Sequence, residues 1–264
     1  MDALYQTEIV KIVDGKKRPT ADTLVREVRL DLIVNGRRAG AVMATPVDQE
    51  ALALGYLMSE GIIGNYDDVE SLRLEKEGTR IVINARIDDA RLHRLDSEGV
   101  VISGCGRSST ANIDPDAIEA KVMRDATRIP ASLLSTEMER FYTECPLYEQ
   151  TGCVHTAKLF LQDGSFTLGE DIAQHNTIDK AIGKAHLEGK NLEGSFLMVS
   201  GRLSSEMVAK AVMHSIPILA SRTASTCLGV QIARKFGLTL IGFVRQGRMN
   251  IYANERRIDV PNPG

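Results

Sequence analysis

Apolar residues in the first third of the chain recur mostly at every second position. Val28, Leu30, Leu32 and Val34 carry the period of a half-buried strand, one face packed and the other wet. Asn35-Gly36 then supplies a tight hairpin turn, and residues 39–44 return as the partner strand. Residues 1–19 read as an extended arm, alternating over 8–13 and turning at Asp14-Gly15. After Thr45-Pro46 the period changes. Ala51, Leu52, Leu54, Leu57 and Met58 make a helical stripe that Gly61 stops. Residues 69–75 and 79–85 predict a second hairpin about Glu77-Gly78, and the charged run 87–95 a further helix.

Beyond residue 114 the pattern lengthens. Residues 115–124 read as a short helix, and Ile129-Pro130 marks a boundary. Residues 131–145 predict one amphipathic helix built on Leu133, Leu134, Met138, Phe141 and Tyr142, stopping before Pro146. A strand enters through His155 and turns back at Asp163-Gly164. Short apolar strands at 195–200, 216–220 and 239–244 then alternate with helices at 178–187, 204–214 and 226–236. That alternation implies a largely parallel sheet covered by helices. The expected organisation is a small α+β unit over 1–127 and a larger α/β unit over 128–264.

Composition narrows the function classes. A chain of 264 residues, 43% hydrophobic and 25% charged, is long enough for a large core. Its net charge of −3 supplies no global attraction to nucleic acid or anionic lipid. The longest apolar runs, such as 216–220, are too short to span a bilayer, and residues 1–8 show no secretory pattern. Cys105, Cys145, Cys153 and Cys227 are widely spaced, so they make no disulfide framework, and the cytoplasm is the expected compartment.

Five stretches carry candidate chemistry. In Ser103-Gly104-Cys105-Gly106-Arg107-Ser108 a cysteine stands between two glycines, with an arginine two residues on. Backbone N–H groups and a guanidinium near the sulfur favour the thiolate, although a plain glycine turn with a small buried cysteine has the same sequence. Residues 169–180 crowd Glu170, Asp171, His175, Asn176, Asp179 and Lys180 between a strand and a helix. They either position a ligand and manage protons, or satisfy backbone groups at a helix start. Ser200-Gly201-Arg202 and Ser221-Arg222-Thr223 each follow a strand, as does the segment of Phe243, Val244, Arg245, Gln246, Gly247 and Arg248. Arginines from successive strand ends share one sheet edge, where guanidinium forks suit phosphate. No GxGxxG or P-loop is present, and Cys153-Val154-His155 lacks the partners that a zinc site needs.

Read in order, Met43-Ala44-Thr45-Pro46, Leu57-Met58-Ser59-Glu60-Gly61-Ile62-Ile63, Ser103-Gly104-Cys105-Gly106, Thr151-Gly152-Cys153-Val154-His155, the 170–180 cluster, Ser200-Gly201-Arg202 and the 243–248 segment resemble the formate dehydrogenase accessory sulfurtransferases, the FdhD/NarQ family. The resemblance runs over nearly the whole chain. It implies a cytidine-deaminase-like layered α/β domain, without the deaminase zinc ligands, joined to a smaller α+β domain. It further implies a sulfur carrier that is loaded by a cysteine desulfurase. Cys105 would hold the persulfide and pass sulfur to a molybdenum (or tungsten) bis-pterin guanine dinucleotide cofactor, bound as substrate, before insertion into formate dehydrogenase. Residues 243–248 would take the guanine dinucleotide, with Arg202, His175 and Asp179 in the same cofactor-binding set. A homodimer is expected, because such a cofactor has two nucleotide ends. Many family members place a second cysteine three residues after the first, where this chain has Ser108; Cys153 is the candidate replacement thiol. The rival reading is a cofactor-holding chaperone without sulfur chemistry.

Overall fold

The computed structural model describes residues 2–97, 101–102 and 115–260, so Cys105 and Ser108 lie outside the described residues. The expected arm is a long hairpin of β1 (Leu4–Val13) and β2 (Lys16–Val25), with Asp14 and Gly15 both at positive φ in its turn. β3 (Val28–Val34) and β4 (Arg37–Ala44) form the second hairpin through Asn35 and Gly36, at φ 49° and 75°. β5 (Val69–Glu75) and β6 (Arg80–Ala85) form the third. β6 joins β3 in parallel and β7 (Val101–Ile102) pairs with β4, giving the order β5-β6-β3-β4-β7.

α1 (Gln49–Ser59) covers this first sheet. The apolar stripe predicts one buried face, yet every residue of the helix except Glu50 is buried. The reason is a second neighbour, α5 (Gln174–Leu187), which packs on the opposite side of α1. Two glycines set that approach. A Cβ at Gly55 would stand 2.0 Å from the carbonyl oxygen of Asp179, and one at Gly183 would stand 1.9 Å from that of Ala51. The helices therefore meet backbone to backbone.

After α2 (Asp89–Ser97), the second half holds β8 (Ile129–Pro130), α3 (Ala131–Glu139), α4 (Pro146–Thr151), β9 (His155–Phe160) and β10 (Phe166–Asp171). Following α5 come β11 (Phe196–Val199), α6 (Ser205–Met213), β12 (Ile218–Ser221), α7 (Cys227–Phe236), β13 (Thr239–Arg245), β14 (Arg248–Ala253) and β15 (Ile258–Asp259). The main sheet runs β10-β9-β11-β12-β13-β14, and within it only the pairings of β11 with β12 and of β12 with β13 are parallel. The expectation of a largely parallel sheet is corrected at both edges. Asp163-Gly164 and Gln246-Gly247 make turns too short for a crossover, so the strands they join are antiparallel. α5, α6 and α7 cover one face with Ile178, Val208 and Ile232, while Leu134, Met138 and Phe141 cover the other. Strands β11 and β12 are buried at every position because both their faces are covered.

Two further expectations are corrected. The helix expected over 131–145 is shorter, because α3 ends at Glu139, Glu144 turns the chain at φ 65°, and Pro146, which lacks an N–H to donate, begins the separate helix α4. The helix over 115–124 is only one tight turn, Pro115–Ala117. Beyond it the backbone follows the second half of the molecule: the Met123 N–H donates to the Phe236 carbonyl at 2.8 Å, and Arg257 donates to Asp125 at 2.6 Å. Among the described residues no helix is long and apolar enough to cross a membrane.

The α1–α5 contact makes a direct prediction. Gly183→Ala drives a methyl group into rigid backbone, so stability should fall by roughly 1–3 kcal/mol in urea unfolding, the usual cost of overpacking. The exposed Glu188→Ala, one turn further on, should change it by less than about 0.5 kcal/mol.

Candidate functional site at the carboxyl edge of the main sheet

Parallel strands deliver their carboxyl ends to one edge. Ser200, Ser221 and Arg245 lie there after or at the ends of β11, β12 and β13. β9 runs the other way beside β11, so its first residue, His155, reaches the same edge, and Asp171 at the end of β10 lies opposite His155. The sheet thus gathers most of the stretches singled out from the sequence.

They divide into two groups. Arg222, Arg245 and Arg248 line a cleft of about 410 Å³ with Met138, Glu139, Val244 and Gln246. The Arg222 guanidinium sits 5.5 Å from the centre of the Tyr142 ring, which in turn stacks on Tyr148 at 3.9 Å. Nothing in the spacing of α3 or the two tyrosines says which strand end they meet, so their place here was not legible in advance. Phe243 stands at φ 53°, an uncommon conformation for an aromatic residue. It falls at a bulge in the β13–β14 pairing, and its N–H donates to the Thr223 carbonyl at 3.0 Å. Gln246 and Gly247, also at positive φ, close the turn that sets Arg245 opposite Arg248.

Arg202 does not line this cleft. It lies near His155, which burial of the ring, then the neighbouring His175, and least the Arg202 charge hold below the usual histidine range. The Ser200 hydroxyl accepts the Thr156 N–H at 3.0 Å and shares a hydrogen bond with His155 Nδ1 at 3.2 Å. His175 Nδ1 lies 2.6 Å from Glu206 Oε2. Burial works to raise the Glu206 carboxyl, but His175 and Lys210 bring it below the ordinary range. The pairing of Glu206 with His175 is a tertiary contact that no local signal in the sequence announces.

The rest of the 170–180 cluster is turned inward. Asp171 and Lys180 are both fully buried and 2.6 Å apart. Lys180 also donates to the carbonyls of Thr45 and Glu170, while Asp171 accepts from the N–H of Thr45 and from Asn176. Asn176 is not the helix cap, because its side chain is spent on Asp171 and the Met43 carbonyl. Glu170 accepts the N–H groups of Leu147 and Tyr148 at the start of α4. Asp179, expected among the cofactor ligands, is 1% exposed and holds Lys210 at 2.7 Å and the Ser59 hydroxyl at 2.8 Å. Asp179 therefore sits behind the edge rather than on it, and His175 is the member of the cluster that stays partly exposed.

Of the cysteines among the described residues, Cys145 is buried, donates to the Phe141 carbonyl, and is pushed up to about 11 by burial, so it stays a thiol. Cys153 and Cys227 are exposed. No group of three or more His, Cys, Asp or Glu among the described residues is placed to hold a metal ion.

Comparison with known proteins is decisive here. Residues 25–259 match the sequence profile of the FdhD/NarQ family. The chain belongs to the FdhD/NarQ family. It is 41% identical over 239 residues to the "Sulfur carrier protein FdhD" of Wolinella succinogenes, covering 90% of this chain and 83% of that one. It is 35% identical to the protein of the same name from Streptomyces avermitilis, covering 95% and 94%. A crystal structure described as that of a formate dehydrogenase accessory protein from Desulfotalea psychrophila superposes with a TM-score of 0.79 at 25% identity, covering 97% of this chain and all of that one. The FdhD/NarQ profile begins at the foot of the β1–β2 hairpin, which lies almost wholly outside it.

The buried network of this FdhD/NarQ chain has a pH signature. The Ser59 hydroxyl, committed to Asp179, accepts from His214 Nε2 at 3.1 Å, and burial, with His186 and Lys210 nearby, pushes His214 down to about 3. An unfolded histidine takes its proton near pH 6.5. Between those values the unfolded chain binds a proton that the folded chain refuses, so stability falls as pH drops from about 6.5 toward 3. Urea midpoints at pH 7 and pH 5 should show this loss, and His214→Gln, which keeps a donor to Ser59, should reduce it.

Proposed function

We propose that this chain is a sulfur carrier that serves the maturation of a formate dehydrogenase in the cytoplasm. The observation that carries the reading is a Gly104-Cys105-Gly106 segment within a chain 41% identical to a protein named as a sulfur carrier. The described cysteines add to it, since buried Cys145 offers no thiolate at neutral pH.

In this reading the Cys105 thiolate attacks the outer sulfur of a cysteine desulfurase persulfide, and the desulfurase cysteine leaves as a thiolate. Cys105 then holds the sulfane sulfur. The substrate is a molybdenum (or tungsten) bis-pterin guanine dinucleotide. Its reduced metal gives two electrons to the sulfane sulfur and takes it as sulfide, while Cys105 leaves as a thiolate. The chain's own part is to bind and orient. Arg222, Arg245 and Arg248 suit the diphosphate of the nucleotide, because three guanidiniums offer paired donors to its oxygens. Phe243 and Tyr142 present rings beside those charges. His155, His175 and Arg202 lie further along the same edge and offer donors to the remainder of the cofactor. Serine at 108 makes Cys105 a carrier without an adjacent resolving thiol.

Two measurements test this. After incubation with a desulfurase and cysteine, the intact protein should gain about 32 Da, the mass of one sulfur; Cys105→Ala should abolish the gain and Cys145→Ala should not. Guanine-nucleotide binding without any mass gain would favour the cofactor-holding chaperone. Independently, Arg245→Ala combined with Arg248→Ala should weaken guanosine diphosphate binding by at least about tenfold in calorimetry, the value of one charge-assisted hydrogen bond.

A further inference from the structure

The arginine cleft holds one group that diphosphate binding does not use. Glu139, the last residue of α3, lines it beside Arg222, Arg245 and Arg248, the one carboxylate among the described residues that do so. That placement is unfavourable twice over. The carbonyl end of a helix carries partial negative charge, and α3 has no basic residue in its last turn to offset an acid there. A carboxylate also repels the phosphate oxygens that the arginines suit. Glu137 in the same turn is answered by Arg140 at 3.1 Å. The Glu139 side chain, by contrast, makes no ion pair and no hydrogen bond among the described residues. None of the three guanidiniums is close enough to pair with it, so it does not serve to neutralise them.

A carboxylate can only accept hydrogen bonds. Left unpaired beside an anion site, it fits a ligand that is negative at one end and carries N–H donors at the other. A nucleoside diphosphate has that polarity, and the bases differ in the edge they show. Guanine sets two donors side by side, the ring N1–H and the 2-amino group. Adenine and cytosine set an amino group beside a bare ring nitrogen, and uracil sets one N–H between two carbonyls. Of the four, guanine alone meets both oxygens of a carboxylate with donors. The cleft also offers the ring an apolar wall, since buried Met138 and Val244 line it beside Glu139. Its volume of about 410 Å³ is that of a small-molecule site.

We propose that Glu139 reads the base, its two oxygens accepting the N1–H and an N2–H of guanine while the arginines hold the diphosphate. This rests on the nucleotide reading given above and adds the residue that makes the cleft choose guanine. Selectivity comes from both signs of the interaction. Guanine gives Glu139 two charge-assisted hydrogen bonds. Adenine turns the N1 lone pair toward it and leaves a carboxylate oxygen facing a negative edge.

Calorimetry of the full chain with guanosine, adenosine and xanthosine diphosphates tests it. The wild type should prefer guanosine to adenosine diphosphate by at least about tenfold, the value of one charge-assisted hydrogen bond. Glu139→Ala should bring the two within about threefold of each other. Glu139→Gln gives the sharper readout. Xanthine keeps the N1–H but has a carbonyl in place of the amino group, so a carboxamide, one acceptor beside one donor, matches it. The glutamine variant should therefore bind xanthosine diphosphate more tightly than guanosine diphosphate, a reversal that a merely structural role of Glu139 would not produce. Glu139 is exposed, so circular dichroism and melting temperature should match the wild type in both variants. A wild type that binds the guanine and adenine nucleotides equally overturns the proposal and leaves the cleft a diphosphate site. So does a glutamine variant that keeps the preference for guanine. A wild type that binds none of the three overturns the nucleotide reading itself, and this one with it.

Discussion

Two buried lysines hold the halves of this molecule in register. Removing an ammonium group from solvent costs several kcal/mol, recovered only if its donors are met in good geometry. Lys180 meets that condition with Asp171 and the carbonyls of Thr45 and Glu170. Lys210 meets it with both oxygens of Asp179 and the face of the Tyr56 ring. Thr45 and Tyr56 come from the first half, and Asp171 and Asp179 from the second. Both ion pairs lie within the second half, but Thr45, Ser59 and Tyr56 of the first half complete their contacts, so they specify how the halves meet as well as whether they do. The backbone contact of Gly55 and Gly183 between the two networks leaves no room for α1 to slide.

The edge site inherits its rigidity from this interior. Asn176, Asp179 and Lys180 pin the first turns of α5, and His175 belongs to the same turn. Its ring is thereby presented at the sheet edge with Glu206 already in place on Nδ1. Positioning by neighbours that are themselves locked is how a site keeps its geometry without stiff loops. The buried carboxylates are therefore neither idle nor catalytic.

What could be read in advance follows from the range of the forces involved. Asn35-Gly36, Asp14-Gly15, the caps Ser204 and Thr226, and the stop at Gly237 are local matters, and each is where the residue types place it. The strand-end arginines were legible too, because parallel strands share an edge whatever else they touch. Failures began where a second neighbour decides. The stripe of α1 says nothing of α5, so its all-round burial was invisible. The residues at 115–124 have a helical pattern, but the Met123 N–H is claimed by the Phe236 carbonyl, and the Asp125 carboxylate just beyond by Arg257. The 170–180 cluster reads as a dense site because buried ion networks and functional sites draw on the same residue types. Only burial separates them, and Asp179 at 1% exposure went one way while His175 went the other.

That leaves the stretch from Phe243 to Arg248, which breaks local rules at almost every position. An aromatic residue in the left-handed region costs roughly 1–2 kcal/mol. Arg245 and Arg248 stand opposite one another across the strand pair, where like charges repel. A leucine or threonine at either position would suit the hairpin better. The surrounding contacts explain how the strain is borne, since the Thr223 carbonyl takes the Phe243 N–H and a side chain at Gly242 would collide with that same carbonyl at 2.6 Å. They do not explain why it exists. Conflict with local preference, concentrated within one six-residue segment of an otherwise consistent sequence, is the mark of residues selected for something outside the fold. The anionic ligand proposed above would account for it, because it would turn the repulsion between the two guanidiniums into shared attraction.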